Sequence, residues 1–298
     1  MTRATCFNTE QMRKRRRCVF RICFVALSLV HTVACNRSGR ALRPSPDYTP
    51  EVRSATGLAG GAERTADGEL KLSIERATIV VGSKQFSLHL PISSKPPLPS
   101  VLVFHSAVGR TDSVLEWCDE LARAGFGAVA LDFYDGRIAN TPADSKALRD
   151  SANSREAELQ RVVEQTYDSL QSDPRLRSQT RFLLGWSFGA AWATFASSFL
   201  PDVKGVVAYY GEDFRMNPSL YDKVRAPILF IGAQRDTDPT PEQLHDIVGK
   251  LNSRGSRAEL VLVDAMHGFA ERRHDGYDPR LARESWEKVL RFLATQQR

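Results

Sequence analysis

Cysteine is scarce in the part of this chain that could form a folded domain. The 298-residue sequence has five cysteines, Cys6, Cys18, Cys23, Cys35 and Cys118, and four of them lie within the first 35 residues. A domain with one cysteine cannot form an internal disulfide, so a disulfide-stapled scaffold is excluded. The sequence also lacks a His-Glu-x-x-His motif, paired Cys-x-x-Cys motifs and a glycine-rich phosphate loop. We therefore expect no metal and no cofactor.

Excess charge is missing from most of the chain. The formal net charge is +6, but residues 1–34 hold seven Lys or Arg side chains and one Glu, so the remainder is formally neutral. A neutral domain presents no electrostatic footprint for a polyanion. We therefore expect no nucleic-acid partner.

No apolar run is long enough to be a typical membrane span. Ile22–Ala34 is an apolar run of 13 residues after a basic stretch, which suits the core of a signal peptide. Its end, Thr32-Val-Ala-Cys35, resembles the lipobox of bacterial lipoproteins, in which the cysteine is lipidated. Thr32 replaces the usual aliphatic residue, so simple cleavage and an uncleaved anchor remain alternatives. We expect an exported protein that meets the membrane only through a lipid on Cys35 or through the signal segment.

Composition divides the chain into three parts. Residues 1–34 are predicted to be a signal peptide, of the lipoprotein type if Cys35 is lipidated. Residues 35–68 are rich in Arg, Ser, Pro, Gly and Ala without apolar periodicity, which predicts a flexible linker. Residues 69–298 are long enough to bury one core and are predicted to be a single domain.

Strand and helix patterns alternate through the predicted domain. Segments 70–74 and 86–90 alternate apolar and polar residues, which indicates two half-exposed antiparallel strands. Val101–Phe104 is a continuous apolar run, which is typical of a strand buried on both faces. Further strands then alternate with helices, including a long polar helix around 145–172. This order predicts an α/β fold with a mainly parallel, doubly wound sheet, and the leading antiparallel strands are similar to those of the α/β-hydrolase fold.

The stretch Gly185-Trp-Ser187-Phe-Gly189 follows an apolar strand and precedes an Ala-rich helix. This is the G-x-S-x-G pattern of a nucleophile elbow, a tight turn that lifts a serine hydroxyl above a sheet. Glycines flank the serine because a side chain there would clash where the backbone folds back. We therefore predict Ser187 as a catalytic nucleophile.

Candidate partners for Ser187 follow later strands. A serine needs a base, and the base needs an orienting group, in the chain order Ser, acid, His. His267 follows the strand that ends near Val263, and it is the predicted base. Asp236 is the favoured acid because it comes first after the end of an earlier strand. Asp238, which is followed by proline and suits a turn, remains the alternative.

A tetrahedral intermediate also requires hydrogen-bond donors for its oxyanion. The backbone N–H of Phe188, at the start of the helix, is one predicted donor. The second is predicted in the loop His105-Ser-Ala-Val-Gly109, at the N–H of Ala107. Ser106 is either a donor to the substrate or a turn-forming hydroxyl.

From about residue 100 onwards the chain resembles the dienelactone hydrolase family. The matching segments are His105–Gly109, Leu131-Asp-Phe-Tyr134, Gly185–Gly189, Ala208-Tyr-Tyr-Gly211, Gly232–Asp236 and His267-Gly-Phe-Ala270. The resemblance implies a hydrolase of esters or lactones with a Cys- or Ser-His-Asp triad and no metal. It also implies a substrate-binding role for Arg137, near one position where the family recognises a carboxylate.

The sequence departs from this family in four places. The segment Gly232–Asp236 is one residue longer than usual, which keeps Asp238 as the alternative acid. The other three departures are single residues. Ser187 stands where the founding members have cysteine, Ser106 replaces a glutamate that often lies beside the nucleophile, and Glu271 occupies the position soon after the His-Gly-Phe-Ala segment. We therefore expect a serine hydrolase of carboxylic esters or lactones that acts through an acyl-enzyme on a small-molecule substrate. The alternatives are a peptidase or acyl-transfer enzyme acting on envelope material, and a non-catalytic lipoprotein that binds a ligand on a hydrolase scaffold.

Overall fold

The computed structural model describes residues 52–54, 63–64, 70–71, 74–92, 94–211 and 217–297. The strands are β1 (Val52–Ser54), β2 (Glu63–Arg64), β3 (Leu70–Lys71), β4 (Ile74–Val81), β5 (Lys84–Pro91), β6 (Ser100–Phe104), β7 (Gly127–Ala130), β8 (Arg181–Trp186), β9 (Val203–Tyr209), β10 (Ile228–Ala233) and β11 (Ala258–Val263). The helices are α1 (Asp112–Arg123), α2 (Pro142–Asn153), α3 (Glu156–Ser172), α4 (Phe188–Ala196), α5 (Pro218–Tyr221), α6 (Pro241–Asn252) and α7 (Pro279–Thr295).

Within the described residues, nine strands form one sheet in the order β1-β4-β5-β7-β6-β8-β9-β10-β11. The pairs from β7 to β11 are parallel, and β4 and β5 add an antiparallel edge. The predicted α/β-hydrolase fold, with a mainly parallel sheet after leading antiparallel strands, is therefore confirmed. Helices connect the parallel strands because a parallel pair needs a long crossover.

Both faces of the sheet are covered by helices. Successive side chains of a strand point to opposite faces, so Leu102 and Phe104 lie in the core beneath α3, α4 and α6, whereas Val101 and Val103 lie in the core beneath α1 and α7. All four side chains are fully buried. This two-sided burial explains why the strand is a continuous apolar run.

The polar stretch predicted as one helix around 145–172 is two helices. The chain leaves α2 at Asn153 and enters α3 at Glu156, and the Arg155 guanidinium between them donates a 3.0 Å hydrogen bond to the carbonyl of Phe133. The helical periodicity of the sequence did not reveal this break, because the interaction that accompanies it joins Arg155 to a residue 22 positions earlier.

The predicted signal peptide, 1–34, and Cys35 lie outside the described residues. Within the predicted linker, 35–68, the described residues are those of β1 and β2. Among the residues that the structure describes, no helix is long and apolar enough to cross a membrane.

Candidate active site

The candidate site lies where the strand order reverses. β6 lies in the sheet between β7, which follows it in the chain, and β8, which follows later. In a doubly wound sheet the crevice for a ligand lies beyond the carboxyl ends of the strands at such a switch point. The loop 105–109 leaves β6 there, and Ser187 leaves β8 beside it.

Ser187 has the strained backbone of a nucleophile elbow. Its φ of 50° and ψ of −117° lie outside the backbone regions that non-glycine residues ordinarily adopt. Its N–H still donates a hydrogen bond to the Tyr209 carbonyl at 2.9 Å. A Cβ on Gly185 would lie 2.3 Å from the Gly189 carbonyl oxygen. The turn therefore requires glycine at that flank, and it leaves the serine side chain half-buried at the top of the sheet.

The structure brings Ser187, His267 and Asp236 into one hydrogen-bonded chain. His267 Nδ1 lies 2.7 Å from Asp236 Oδ2, and His267 Nε2 lies 3.1 Å from Ser187 Oγ. A carboxylate can only accept, so Nδ1 carries the ring proton and Nε2 is left with a lone pair facing the serine hydroxyl. This is the tautomer that a general base requires.

Asp238, the alternative acid, has a different place. Its side chain is exposed, and its backbone N–H donates a 3.0 Å hydrogen bond to Asp236 Oδ1. The Asp236 carboxylate is 2% exposed, and each of its oxygens has a hydrogen-bond partner. Asp238 contributes a backbone donor that orients Asp236, and Asp236 is the residue that contacts His267.

Several charges act on His267. Burial lowers the pKa of its imidazole, but the hydrogen bond and charge of Asp236, with the charges of Glu271 and Asp238, outweigh this and raise the pKa above its ordinary value. His274 packs 5.5 Å from the His267 ring, and its own pKa is lowered by burial and then by the charge of His267.

The loop after β6 is held from several sides. His105 is fully buried; its Nε2 accepts from the Phe133 N–H at 3.0 Å, so its Nδ1 carries the proton and donates to the Ser106 carbonyl at 2.7 Å. The Ser145 hydroxyl on α2 donates to the Ala107 carbonyl at 3.0 Å. The Ala107 N–H shares its peptide plane with the Ser106 carbonyl, so the hydrogen bond from His105 to that carbonyl gives the donor a defined direction.

The start of α4 is packed directly against this loop. A Cβ on Gly189 would lie 2.3 Å from the Phe104 carbonyl oxygen and 2.4 Å from that of His105. Phe188, the first residue of the helix, is therefore close to the loop that contains Ala107. The two predicted oxyanion donors come from adjoining segments, although they are 81 positions apart in the sequence.

Glu271 forms a second polar cluster beside His267. Glu271 is 6% exposed, and its carboxylate accepts a hydrogen bond from the Tyr210 hydroxyl at 3.1 Å. The Tyr210 ring lies 4.8 Å from the His267 ring. The sequence singled out Glu271 only as a departure from a family pattern; its position four residues after His267 was the available signal.

Arg137 follows β7 in a segment that packs against the loop 105–109, where a Cβ on Gly109 would lie 2.7 Å from the Arg137 carbonyl oxygen. It is exposed, and its Nε donates to the Tyr134 carbonyl of its own loop at 3.0 Å. In the part of the chain that the structure describes, no hydrogen bond joins Arg137 to Ser187, His267 or Asp236, and no cluster of three or more His, Cys, Asp or Glu side chains could hold a metal ion.

Comparison with known proteins identifies the family to which this chain is similar. The model of the dienelactone hydrolase family matches residues 87–297. A protein from Aquifex aeolicus, provisionally named carboxymethylenebutenolidase, is 29% identical over 204 residues, which cover 66% of this chain and 88% of that protein. Another from Aquifex pyrophilus, named protein usf, is 28% identical over 205 residues, 65% of this chain and 87% of that protein.

A solved structure agrees with this assignment at the level of the fold. A dienelactone hydrolase-like promiscuous phosphotriesterase from metagenomic libraries superposes with a TM-score of 0.66 at 17% identity, covering 76% of this chain and 98% of that one. Identity this low shows the fold alone. The match of the family model spans well over half of the chain. The chain therefore belongs to the dienelactone hydrolase family and is a hydrolase of the ester or lactone type.

Proposed function

We propose that this protein is a serine hydrolase that cleaves carboxylic esters or lactones through an acyl-enzyme formed on Ser187. The observation that carries the proposal is the hydrogen-bonded chain from Asp236 through His267 to Ser187, with contacts of 2.7 and 3.1 Å. A nucleophile within reach of a base, and a base oriented by a buried carboxylate, is the arrangement that activates a serine hydroxyl.

In the acylation step, His267 Nε2 takes the Ser187 proton while Oγ attacks the carbonyl carbon of the substrate. The C–Oγ bond forms, and the carbonyl electrons move to oxygen. When the tetrahedral intermediate collapses, the imidazolium gives its proton to the departing alkoxide. Asp236 stabilises the imidazolium and keeps its Nδ1–H in place, but takes no proton itself. A lactone follows the same steps, and its alcohol remains attached to the acyl group.

Deacylation repeats the cycle with water. His267 takes a proton from the water molecule, whose oxygen attacks the acyl carbon, and then returns a proton to Ser187 Oγ as the ester bond breaks. The carboxylic acid leaves and the resting enzyme is restored. No redox partner or metal takes part in this balance of atoms and protons.

The two backbone donors of Ala107 and Phe188 are proposed to receive the oxyanion. Hydrogen bonds hold the 105–109 loop in place, and Gly189 lies in close contact with the end of β6. Both observations support this role, because a donor that is already in position needs no rearrangement when negative charge develops on the substrate oxygen. Removal of one such donor typically lowers kcat by about 10²–10³.

For the substrate we propose a small carboxylic ester or lactone. The name of the Aquifex aeolicus relative refers to a butenolide, which is a lactone, and this supports the carbonyl class. Arg137 is the proposed contact for a substrate carboxylate. Its Nε is used by the Tyr134 carbonyl, but the two terminal nitrogens of the guanidinium lie on an exposed residue.

A fluorophosphonate probe and an ester panel of graded acyl length test the proposal on the full chain. We expect the probe to label the wild-type protein and not Ser187→Ala, and we expect ester hydrolysis to be lost in the same variant. Failure of a folded wild-type protein to label or to hydrolyse any ester or lactone would overturn the proposal. A preference for amide over ester substrates would favour a peptidase instead.

We further propose that the protein is exported and tethered to the membrane through a lipid on Cys35. The apolar run of 13 residues and the Thr32–Cys35 segment support this proposal. Two or more acyl chains at the mature N-terminus suffice for stable anchoring while the domain remains in water.

A further inference from the structure

A second histidine, which has no step in the proposed mechanism, lies against the imidazole of His267. The His274 ring packs 5.5 Å from the His267 ring, with 55° between the two planes, a spacing typical of aromatic contacts. The Tyr210 ring also contacts His267, at 4.8 Å. His267 is therefore held by two rings as well as by the hydrogen bonds of its nitrogens to Asp236 and Ser187.

The His274 ring packs against two glycines of the histidine loop, residues 264–278 between β11 and α7. Gly268 has a φ of 75°, and a Cβ on it would lie 2.1 Å from Cγ of His274. The Gly276 N–H donates a 3.2 Å hydrogen bond to His274 Nδ1. A Cβ on Gly276 would lie 2.3 Å from the His267 carbonyl oxygen. The loop can bring His274 against His267 because glycine leaves room at both places.

The main chain of His274 is also fixed on both sides. Its N–H donates to the Glu271 carbonyl at 2.9 Å, and its carbonyl accepts from the Tyr277 N–H at 3.0 Å. A rigid neighbour matters for His267 because its hydrogen bond to Ser187 must break in each half of the reaction. A ring packed against the imidazole restricts its rotation while that hydrogen bond is absent.

The hydrogen bond from Gly276 defines the protonation state of His274. A backbone N–H can only donate, so Nδ1 of His274 is unprotonated and its ring proton is on Nε2. A second proton would have to occupy Nδ1 and would remove this hydrogen bond. It would also place a positive charge 5.5 Å from the His267 ring, where it repels the imidazolium that forms during the reaction.

We propose that His274 is a positioning residue whose neutral ring holds the His267 imidazole in place through both halves of the reaction, and that protonation of His274 abolishes this. The inference rests on the proposed serine-hydrolase function. In this role His274 exchanges no proton with the substrate and acts only through His267.

The titratable groups that act on His274 are His267 and Asp275 of its own loop and Asp236 of the loop after β10. Burial and the charge of His267 lower the pKa of His274, and the two carboxylates oppose this. The pKa of His267 is raised. As the pH falls, His267 therefore takes up a proton first, and His274 follows at lower pH.

Two substitutions in the full chain separate the ring of His274 from its nitrogen. His274→Phe keeps a ring against His267 but has no acceptor for the Gly276 N–H and cannot be protonated. His274→Asn keeps an acceptor near the position of Nδ1 but removes the ring. His245→Asn is the matched control, because His245 lies exposed on α6.

The first readout is kcat and KM for a neutral ester above the pH midpoint, with the fold checked by circular dichroism. We expect His274→Asn to lower kcat about tenfold with KM within about twofold, since a misplaced catalytic group can cost about 10²-fold. His274→Phe should lose less, about threefold, because the ring remains while its hydrogen bond to Gly276 is lost. His245→Asn should match the wild type.

The second readout is the acidic limb of log(kcat/KM) against pH. If both histidines must be neutral, the slope for the wild type should steepen from about one to about two as the pH falls. If protonation of His274 had no effect, the slope would stay at about one, because the form protonated only on His274 would remain active. In His274→Phe the second step should be absent.

Two results would overturn the positioning role. One is a folded His274→Asn variant with the kcat of the wild type, and the other is an equal loss of kcat in the Asn and Phe variants. If His274→Asn does not fold, a wild-type acidic limb with the same slope as that of His274→Phe would overturn the proposal by itself. A wild type that hydrolyses no ester and does not react with the fluorophosphonate would instead refute the proposed function.

Discussion

Asp236 and His267 are joined by a 2.7 Å hydrogen bond, although 31 residues separate them in the chain. The bond fixes the imidazole with Nδ1–H towards the acid. We predict that Asp236→Asn lowers kcat by roughly 10³–10⁴, because an amide in this position can donate to Nδ1 and so favours the wrong tautomer. Steady-state ester hydrolysis by the purified variant measures the effect.

Asp238→Asn is the control for this substitution. The contact of Asp238 with Asp236 is made by a backbone N–H, which an asparagine retains. We expect kcat within a few-fold of the wild type, since an exposed charge acts on His267 mainly through solvent. A loss in Asp238→Asn as large as that in Asp236→Asn would show that the acid had been assigned to the wrong residue.

The raised pKa of His267 predicts the pH dependence of hydrolysis. The base must be neutral to take the Ser187 proton, so kcat/KM should rise with pH through a midpoint above the ordinary histidine value of about 6.5. In Asp236→Asn the midpoint should move to lower pH, because a carboxylate that raises the pKa is gone. If the midpoint of kcat/KM in the wild type lay below pH 6, Asp236 would not raise the pKa of His267 as stated.

The raised pKa of His267 also affects the stability of the fold, and this contribution falls with pH where the activity rises. A group whose pKa is higher in the folded state binds protons more tightly there, so it stabilises the fold below its unfolded-state pKa. The contribution of His267 should be fully present below about pH 6.5 and be lost as pH rises through the raised pKa. Activity and this part of the stability therefore change in opposite directions over the same interval.

The sheet could be predicted from the sequence because its strands are set by local patterns. A run such as Val101–Phe104 is apolar at every position, and the Gly-x-Ser-x-Gly turn needs its glycines wherever it occurs. The order Ser187, Asp236, His267 follows from the order of the strands whose ends carry them. These features depend on period and spacing, which a single sequence displays.

Other features depend on contacts that no local pattern encodes. The break between α2 and α3 accompanies a hydrogen bond from Arg155 to the Phe133 carbonyl. The hydrogen bond from the Tyr210 hydroxyl to Glu271 joins residues that are 61 positions apart in the chain. The sequence placed a strand at 70–74 and another at 86–90, whereas β4 and β5 form a longer hairpin that turns at Gly82 with a φ of 60°.

The proposed lipid anchor predicts labelling at one cysteine. When the full chain is made in a bacterium that processes lipoproteins, labelled palmitate should be incorporated, and Cys35→Ser should abolish this. Cys118→Ser is the control, because Cys118 is fully buried in α1 and burial raises the pKa of its thiol, so it offers no reactive thiolate. Palmitate incorporation that survives Cys35→Ser would rule out this anchor, and simple cleavage would leave both proteins unlabelled.

Substitution by alanine should change the free energy of unfolding in opposite directions at two helical glycines, Gly189 in the elbow and Gly249 in α6. In Gly189→Ala the new Cβ would lie 2.3 Å from the Phe104 carbonyl oxygen, a backbone atom that cannot move without shifting β6. We expect the free energy of unfolding to fall by about 3 kcal/mol, the upper end of the usual range for overpacking.

In Gly249→Ala, on the exposed side of α6, nothing lies within 4 Å of the new Cβ. The free energy of unfolding should rise by about 0.5–1 kcal/mol, since alanine loses less backbone entropy in a helix. Urea unfolding of both variants measures the difference. If Gly189→Ala were as stable as the wild type, the close approach of α4 to β6 would be wrong, and with it the argument that the Phe188 and Ala107 donors face one oxyanion.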